Sequence, residues 1–221
     1  MILQVRWAFI PAGDVVLEIL PSEMVNGVQS YHFAMTARTF PLIDPFYKVR
    51  DRIDAYADSE MTHSVLYKKR QDGKSIRDII VKFNWETFEA QYSNFDVKAE
   101  PISISPGAFD PLSIFYSFRL LDLKAGIKIA APVTDGKKFV HGEATVVKKE
   151  KIYVTDHWYE TYLVEPDMKY IGGVFKKNED AKLQIWVTAD ERRVPVRIKS
   201  KIVVGSFVAE LVSYESGEAV H

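Results

Sequence analysis

Three polar side chains stand in a short apolar segment, at a spacing that could bind an anion. Asp110, Ser113 and Arg119 occur among leucine, isoleucine and phenylalanine residues between positions 110 and 121. Because an aspartate followed by a proline such as Pro111 is typical of the first turn of a helix, we predict a short helix here. Arg119 would be drawn towards the apolar side of that helix, where a guanidinium needs a carboxylate or carbonyl partner.

Two chemical roles are open for these residues. The structural role is a helix cap with an ion pair that anchors the helix, and it is the more common use of such side chains. The functional role is a guanidinium that faces a cavity and binds a carboxylate or an anionic headgroup. A similar couple, Asp51 and Arg52, lies close to residues 44–47, where an Asp-Pro pair predicts a second short helix. The candidate ligand-binding residues are therefore Asp110, Ser113, Arg119, Asp51 and Arg52.

The histidines and carboxylates do not form a recognisable catalytic set. His141 lies two positions from Glu143, a spacing that could place both side chains on one face of a strand and bind a metal. Such pairs arise often by chance and are usually solvated. The sequence has no cysteine, no glycine-rich phosphate loop, no nucleophile elbow and no zinc-binding histidine pair. We predict a non-enzymatic protein without metal or cofactor, and a hydrolase with an Asp/His/Glu site is the minor alternative.

Composition narrows the class of protein further. The chain has 221 residues, 47% of them apolar, and its 29 basic and 30 acidic side chains leave a net charge of -1. That balance is typical of a folded globular protein and carries no electrostatic footprint for nucleic acid. No stretch approaches the roughly 18 apolar residues of a membrane-spanning helix. No linker composition divides the chain, so we predict one β-rich domain over residues 1–221.

The elements that must position these residues are strands. Apolar and polar residues alternate with period two over most of the chain, as where Arg197, Lys199 and Lys201 alternate with valine and isoleucine. In the C-terminal half this pattern predicts strands at residues 138–149, 151–166, 181–189, 194–204 and 206–214. We predict an all-β fold, mainly antiparallel, as a large curved sheet or a closed or near-closed barrel with two short helices.

Two hairpins near the ends of the sequence bear on closure of the sheet. In the first, Phe9 alternates onto the same face as Leu3, and we predict the turn at residues 11–13, where Gly13 supplies the unusual backbone angles. In the last, we predict a turn at Gly205. If the first and last strands pair with each other, the sheet closes or nearly closes and loses its exposed edges.

Five segments carry a family resemblance. They are residues 7–19, 46–53, 110–119, 186–195 and 201–212. In this order and spacing, the chain resembles the bacterial family catalogued as domain of unknown function 3108. The resemblance implies an exported, β-barrel-like protein of Gram-negative-type bacteria whose signal peptide has been removed from this sequence. It brings no catalytic residues, and it implies that positions such as Asp110, Arg119 and Gly205 are structural anchors.

These observations lead to one expected function and one main alternative. We expect an uncharacterised periplasmic envelope protein that binds an apolar or amphipathic ligand, such as a lipid, in a β-barrel-like fold. The alternative is a protein–protein interaction or assembly module of the envelope, for which the apolar residues and lysines of residues 169–177 could form a docking loop. A nucleic-acid partner is not expected, and the sequence leaves the oligomeric state open.

Overall fold

A computed structural model describes residues 1–73, 75–167, 182–202 and 205–215. Within them, fifteen strands and one helix occur, and all of the strands belong to one sheet. The strands are β1 Ile2–Trp7, β2 Ile10–Val25, β3 Val28–Thr39, β4 Arg50–Asp58, β5 Ser64–Gln71, β6 Arg77–Asn84, β7 Glu89–Asn94, β8 Val97–Lys98, β9 Ile102–Ser103, β10 Lys128–Thr134, β11 Phe139–Val154, β12 His157–Pro166, β13 Lys182–Thr188, β14 Pro195–Ile202 and β15 Gly205–Ser213. Helix α1, Ser113–Phe118, lies between β9 and β10. The docking loop predicted at residues 169–177 lies outside the described residues.

The first and last strands meet in the middle of the sheet. Strand β1 pairs antiparallel with both β2 and β15, so that Leu3 lies opposite Val15 on one side and Leu211 on the other. The order runs from β10 through β15 to β1 and on to β8, with β9 beside β7. The predicted pairing of the first and last strands, and the large antiparallel sheet, are therefore confirmed.

Among the described strands, the closed barrel predicted as one possibility is not found, because β10 and β8 remain as separate ends of the strand order. Within the described residues, the two ends are joined indirectly. Phe109 forms an isolated bridge with β10, where its N–H donates to the Pro132 carbonyl and its carbonyl accepts from Thr134. The β10–β11 turn also reaches β6, since a Cβ atom on Gly136 would lie 2.7 Å from the Val81 side chain.

The main hydrophobic core fills the space between the sheet and the segment that contains α1. Tyr116 of α1 stacks on Phe33 of β3 with ring centroids 4.0 Å apart. Leu112 and Phe109 are buried in the same cluster, together with strand residues from both halves of the sheet. A helix with one buried face thus covers the strands that alternate apolar residues towards it.

The second short helix predicted at residues 44–47 is wrong; these residues lie in and after a series of turns. The Asp44 carboxylate does not cap a helix, because it accepts hydrogen bonds from the Thr39 hydroxyl and from Arg50, 2.6 Å from Nη2. One or two turns without such capping or a long apolar face do not nucleate a helix. The described part of the chain has no helix of the length and apolarity that crossing a bilayer demands.

Two predicted turn positions also differ from the structure. The β1–β2 turn lies at Ala8 and Phe9, and Ala8 has a positive φ of 54°. Gly13 lies within β2, where a Cβ atom would be only 2.2 Å from the Arg38 carbonyl oxygen, so the glycine permits close strand approach instead of a turn. In the C-terminal half, the chain reverses at Thr155 and Asp156, and not at residue 150 as the strand boundaries predicted.

Candidate functional site

Asp110 forms a buried junction between the sheet and the segment that leads into α1. Its carboxylate Oδ2 accepts the Ser64 hydroxyl at 2.5 Å, and its Oδ1 accepts the backbone N–H groups of Leu112 and Ser113. The Asp110 N–H in turn donates to the Ser64 hydroxyl oxygen. Asp110 and Ser64 are both fully buried. The arrangement satisfies the start of the helix and connects it to β5.

Among the described residues, no cationic side chain pairs with the Asp110 carboxyl group. Burial raises the pKa of the Asp110 carboxyl, while the hydrogen bonds from its neighbours act in the opposite direction. Ser113 is also fully buried, and its backbone N–H donates to Oδ1 of Asp110 at 2.9 Å. The geometry at Asp110 and Ser113 is that of a structural anchor, and their ligand-binding role stays a prediction.

Arg119 lies at the other end of α1. Its Nε and Nη2 atoms donate to the Arg192 carbonyl oxygen at 3.2 and 2.8 Å, which supplies the carbonyl partner that the sequence called for. The guanidinium also lies over the Tyr116 ring. Burial lowers the pKa of Arg119, although Tyr116, Tyr214 and Asp190 act to raise it. Arg119 fixes the end of the helix to the β13–β14 connection.

Asp51 and Arg52 are neighbours on β4 but do not interact as a couple. The Asp51 carboxylate accepts the Gln71 side chain at 2.9 Å. Arg52 forms two hydrogen bonds with Asp54, whose Oδ1 also lies 2.9 Å from Nε2 of His32. The structure therefore brings Asp110 and Ser113 into direct contact, and it places Arg119, Asp51 and Arg52 at separate positions with other partners.

His141 and Glu143, the pair considered for a metal or a hydrolase, are both exposed on β11. The described residues contain no group of three or more histidine or acidic side chains placed to hold a metal ion.

One surface cleft, of about 450 Å³, lies near Arg119. Its cation, Arg192, is paired with Asp190 at 2.6 Å and lies over the Tyr214 ring. His157 and Asp156 also line this cleft, so its acidic and basic side chains compensate each other. We find no feature here that selects a ligand.

A second cleft, of about 370 Å³, combines cations with an exposed aromatic ring. It is formed where β1, β14 and β15 lie side by side, next to the β1–β2 turn. The side chains that line it are Arg6, Ala8, Phe9, Arg197, Lys199, Val208 and Glu210. We call it the cationic cleft, and we take it as the candidate functional site.

The charges of the cationic cleft do not cancel. Glu210 forms salt bridges with both Arg6 and Arg197, the second at 2.7 Å. Lys199 lies 5.5 Å from the centre of the Trp186 ring and has no carboxylate within 4 Å among the described residues. Three cations therefore face one carboxylate, and the cleft favours an anion.

The geometry within the cleft is held by its most buried cation. Arg197 donates from Nη2 to the Tyr153 carbonyl at 2.7 Å and from Nε to Glu210. Burial lowers the pKa of Arg197, and the nearby Arg6 adds to this effect while Glu150 opposes it. A guanidinium held by two partners in this way presents a fixed donor rather than a mobile one.

Phe9 supplies the apolar part of the cleft. Its side chain is 85% exposed, at the tip of the β1–β2 turn. The alternation of residues 3–9 predicts the opposite, a Phe9 that faces the core with Leu3, because it extends the strand two residues too far. The run Arg197-x-Lys199 is visible in the sequence as the polar face of a strand, but only the β1–β15 pairing brings Arg6 and Phe9 beside it.

Comparisons with known proteins support the fold but assign no activity. A family model described as "Protein of unknown function (DUF3108)" matches residues 3–212. The chain is also similar to a β-barrel-like protein of domain of unknown function DUF1849 from Brucella abortus, solved by crystallography, with 11% identity and a TM-score of 0.58 over 97% of each chain. At that identity the likeness shows the fold alone. No curated protein matches the sequence.

Proposed function

This chain belongs to the DUF3108 family of proteins of unknown function. From its own geometry, we propose that it is a non-enzymatic periplasmic protein that binds an anionic amphiphile such as a lipid. The observation that carries the proposal is the cationic cleft, where Arg6, Arg197 and Lys199 face one carboxylate beside the exposed Phe9 ring. Guanidinium and ammonium groups bind an anionic headgroup, and an adjacent ring contacts the start of an acyl chain.

The position of the ligand follows from the packing of the core. Tyr116 and Leu112 pack against the sheet in the main cluster of buried side chains, so we place the ligand outside that core, at the cationic cleft formed by β1, β14 and β15. The proposed ligand therefore binds in the cationic cleft next to the β1–β2 turn, with its headgroup near Lys199 and its chain along Phe9. This differs from a lipid carrier that encloses its ligand in a central cavity.

The test compares two lysines on the same strand. Lys199 lines the cationic cleft, while Lys201, also exposed on β14, does not. Binding of lysophosphatidylglycerol, a single-chain anionic lipid, is measured by isothermal titration below its micelle concentration. We expect Lys199→Gln to weaken binding about fivefold, which corresponds to roughly 1 kcal/mol for one cation near an anionic lipid. Lys201→Gln should bind as the wild type does.

Two results would count against the proposed function. One is equal binding of lysophosphatidylglycerol and zwitterionic lysophosphatidylcholine, because the cations would then play no part. The other is an equal loss in both lysine variants, which would indicate nonspecific charge. The periplasmic location is tested separately, by fractionation of cells that express the natural gene with a C-terminal tag, and recovery in the cytoplasm would contradict it.

A further inference from the structure

The turns at one end of the strands display apolar side chains to solvent. This end carries the turns at residues 8–9, 40–49, 72–76, 95–96 and 135–138. Five apolar side chains there are at least two-thirds exposed, and we call them the apolar tips. They are Phe9 at 85%, Phe46 at 78%, Val97 at 74%, Leu42 at 73% and Ile76 at 67%.

The longest of these turns is built to hold its tips outward. Ile43 is buried and anchors the middle of the segment, while Leu42 and Phe46 on either side of it are exposed. Asp44 closes the segment through Arg50 and the Thr39 hydroxyl. The exposure of Leu42 and Phe46 is therefore a property of a fixed loop, since its inward contacts are made by other residues.

Around the described turns, basic and acidic residues are separated between the two ends of the strands. Within two residues of the five turns at the apolar end there are nine basic and six acidic residues, without counting Lys74. The basic ones are Arg6, Arg38, Lys48, Arg50, Arg70, Arg77, Lys98, Lys137 and Lys138. The five turns at the opposite end, residues 26–27, 59–63, 85–88, 155–156 and 189–194, have two basic and seven acidic residues within the same limits. The apolar tips thus coincide with the basic end.

We infer that the basic end docks onto an anionic lipid bilayer, with the apolar tips inserted among the headgroups. Exposed apolar side chains gain free energy on entering the interfacial region, and cations beside them are attracted by anionic lipids. The acidic end is repelled by the same surface, so the molecule is held in one orientation. The inference deepens the proposed function, because the cationic cleft opens next to Phe9 and would face the bilayer from which its ligand comes.

The experiment measures cosedimentation of the full chain with vesicles made of equal parts phosphatidylcholine and phosphatidylglycerol. Vesicles of phosphatidylcholine alone are the reference. We expect the double variant Leu42→Ser/Phe46→Ser to lower the partition coefficient about tenfold or more, since two large apolar side chains lose their burial. The matched control is Met24→Ser/Trp158→Ser, which removes two apolar side chains that are each 63% exposed near the acidic end. It should bind as the wild type does.

Separate readouts keep the two proposals apart. The Leu42→Ser/Phe46→Ser variant should bind lysophosphatidylglycerol normally, because neither residue lines the cationic cleft, and Lys199→Gln should still cosediment with anionic vesicles. Docking is overturned if the wild type binds both vesicle types equally or binds neither, or if the control double variant loses as much binding as the apolar-tip variant. Loss of lysophosphatidylglycerol binding with vesicle binding intact would remove the cleft proposal alone.

Discussion

At the scale of single residues, Ser64 and Asp110 form a pair in which each side chain completes the other's hydrogen bonds. The Ser64 hydroxyl donates to the Asp110 carboxylate and accepts from the Asp110 N–H. The Ser64 carbonyl in addition accepts the Trp85 indole N–H at 3.0 Å. These bonds link β5, the β6–β7 turn and the start of α1. We expect Ser64→Ala to lower the free energy of unfolding by about 1–3 kcal/mol, because it leaves buried donors and acceptors without partners.

The Asp110 carboxyl should leave a signature in the pH dependence of stability. Burial raises its pKa in the folded state. A carboxyl of this kind stabilises the fold below its unfolded pKa, and the contribution is lost as the pH rises through the folded pKa. The Asp110→Asn side chain cannot titrate. The free energy of unfolding of the wild type minus that of the variant should therefore be larger at about pH 4 than at about pH 8. Urea denaturation at both pH values measures it, and a difference that grows with pH would contradict the raised pKa.

Site residues can be predicted from the sequence where a local pattern determines their role. The sequence correctly predicts a short helix after Asp110, because Asp-Pro before apolar residues is typical of a helix start, although the helix begins only at Ser113. The same pattern at residues 44–47 wrongly predicts a helix, since the Asp44 carboxylate accepts hydrogen bonds from Arg50 and from the Thr39 hydroxyl. Residues Arg6 and Lys199 are far apart in the chain, and only long-range strand pairing makes them parts of one cleft.

At the scale of elements, the β10–β11 turn, at one end of the strand order, contacts β6 and β7 near the other end. Gly136 has a φ of +80° and lies against Val81 and Tyr92, so a Cβ atom there would be 2.7 Å from Val81 Cγ2. Gly27, in the β2–β3 turn, has nearly the same φ of +82° and nothing within 4 Å of its would-be Cβ atom. Substitutions at the two glycines therefore distinguish the cost of the backbone conformation from the cost of a steric overlap.

This pair yields a prediction with an internal control. Gly27→Ala should cost about 1–2 kcal/mol of unfolding free energy, the cost of the left-handed backbone. Gly136→Ala should cost about 1–3 kcal/mol more, because the added methyl group overlaps Val81. Chemical denaturation checks both values. In the double variant Gly136→Ala/Val81→Ala the two losses should be less than additive, and strict additivity would show that the contact is absent.

Strand boundaries show which elements the sequence determines. Alternation identifies β13 well: it predicts a strand at residues 181–189, and the strand is Lys182–Thr188. It misplaces the turns after β1 and β11, since the chain reverses there at Ala8 and at Thr155-Asp156 without any glycine. The expectation that a glycine marks the turn instead selects Gly13, which allows two strands to approach each other closely. Turns built from non-glycine residues with positive φ are set by the strands they join.

At the scale of the whole molecule, the two strands at the centre of the sheet, β1 and β15, come from opposite ends of the sequence. Strands β1 and β15 are hydrogen-bonded neighbours, with Ile2 opposite Ser213. Each half of the sheet is otherwise built from sequential antiparallel strands. The β1–β15 pairing thus has the highest loop-closure cost in the sheet.

A circular permutant tests this directly. A short Gly-Ser linker joins residues 213 and 2, and the chain is opened between the exposed residues Glu100 and Pro101. The central pair then becomes a local hairpin, so refolding in stopped-flow experiments should be about tenfold faster or more than for the natural order. The free energy of unfolding should change by only about 1–2 kcal/mol. Equal refolding rates would show that the β1–β15 pair forms after the rate-limiting step.

The same central pair has a consequence for the chain as it is synthesised. The first strand is made long before its β15 partner, and until then one edge of β1 has only solvent or another chain to pair with. An unpaired edge of this kind is a template for aggregation. Every nascent copy therefore passes through a period in which a chaperone, or a delay in folding, must protect the strand that will later stand at the centre of the sheet.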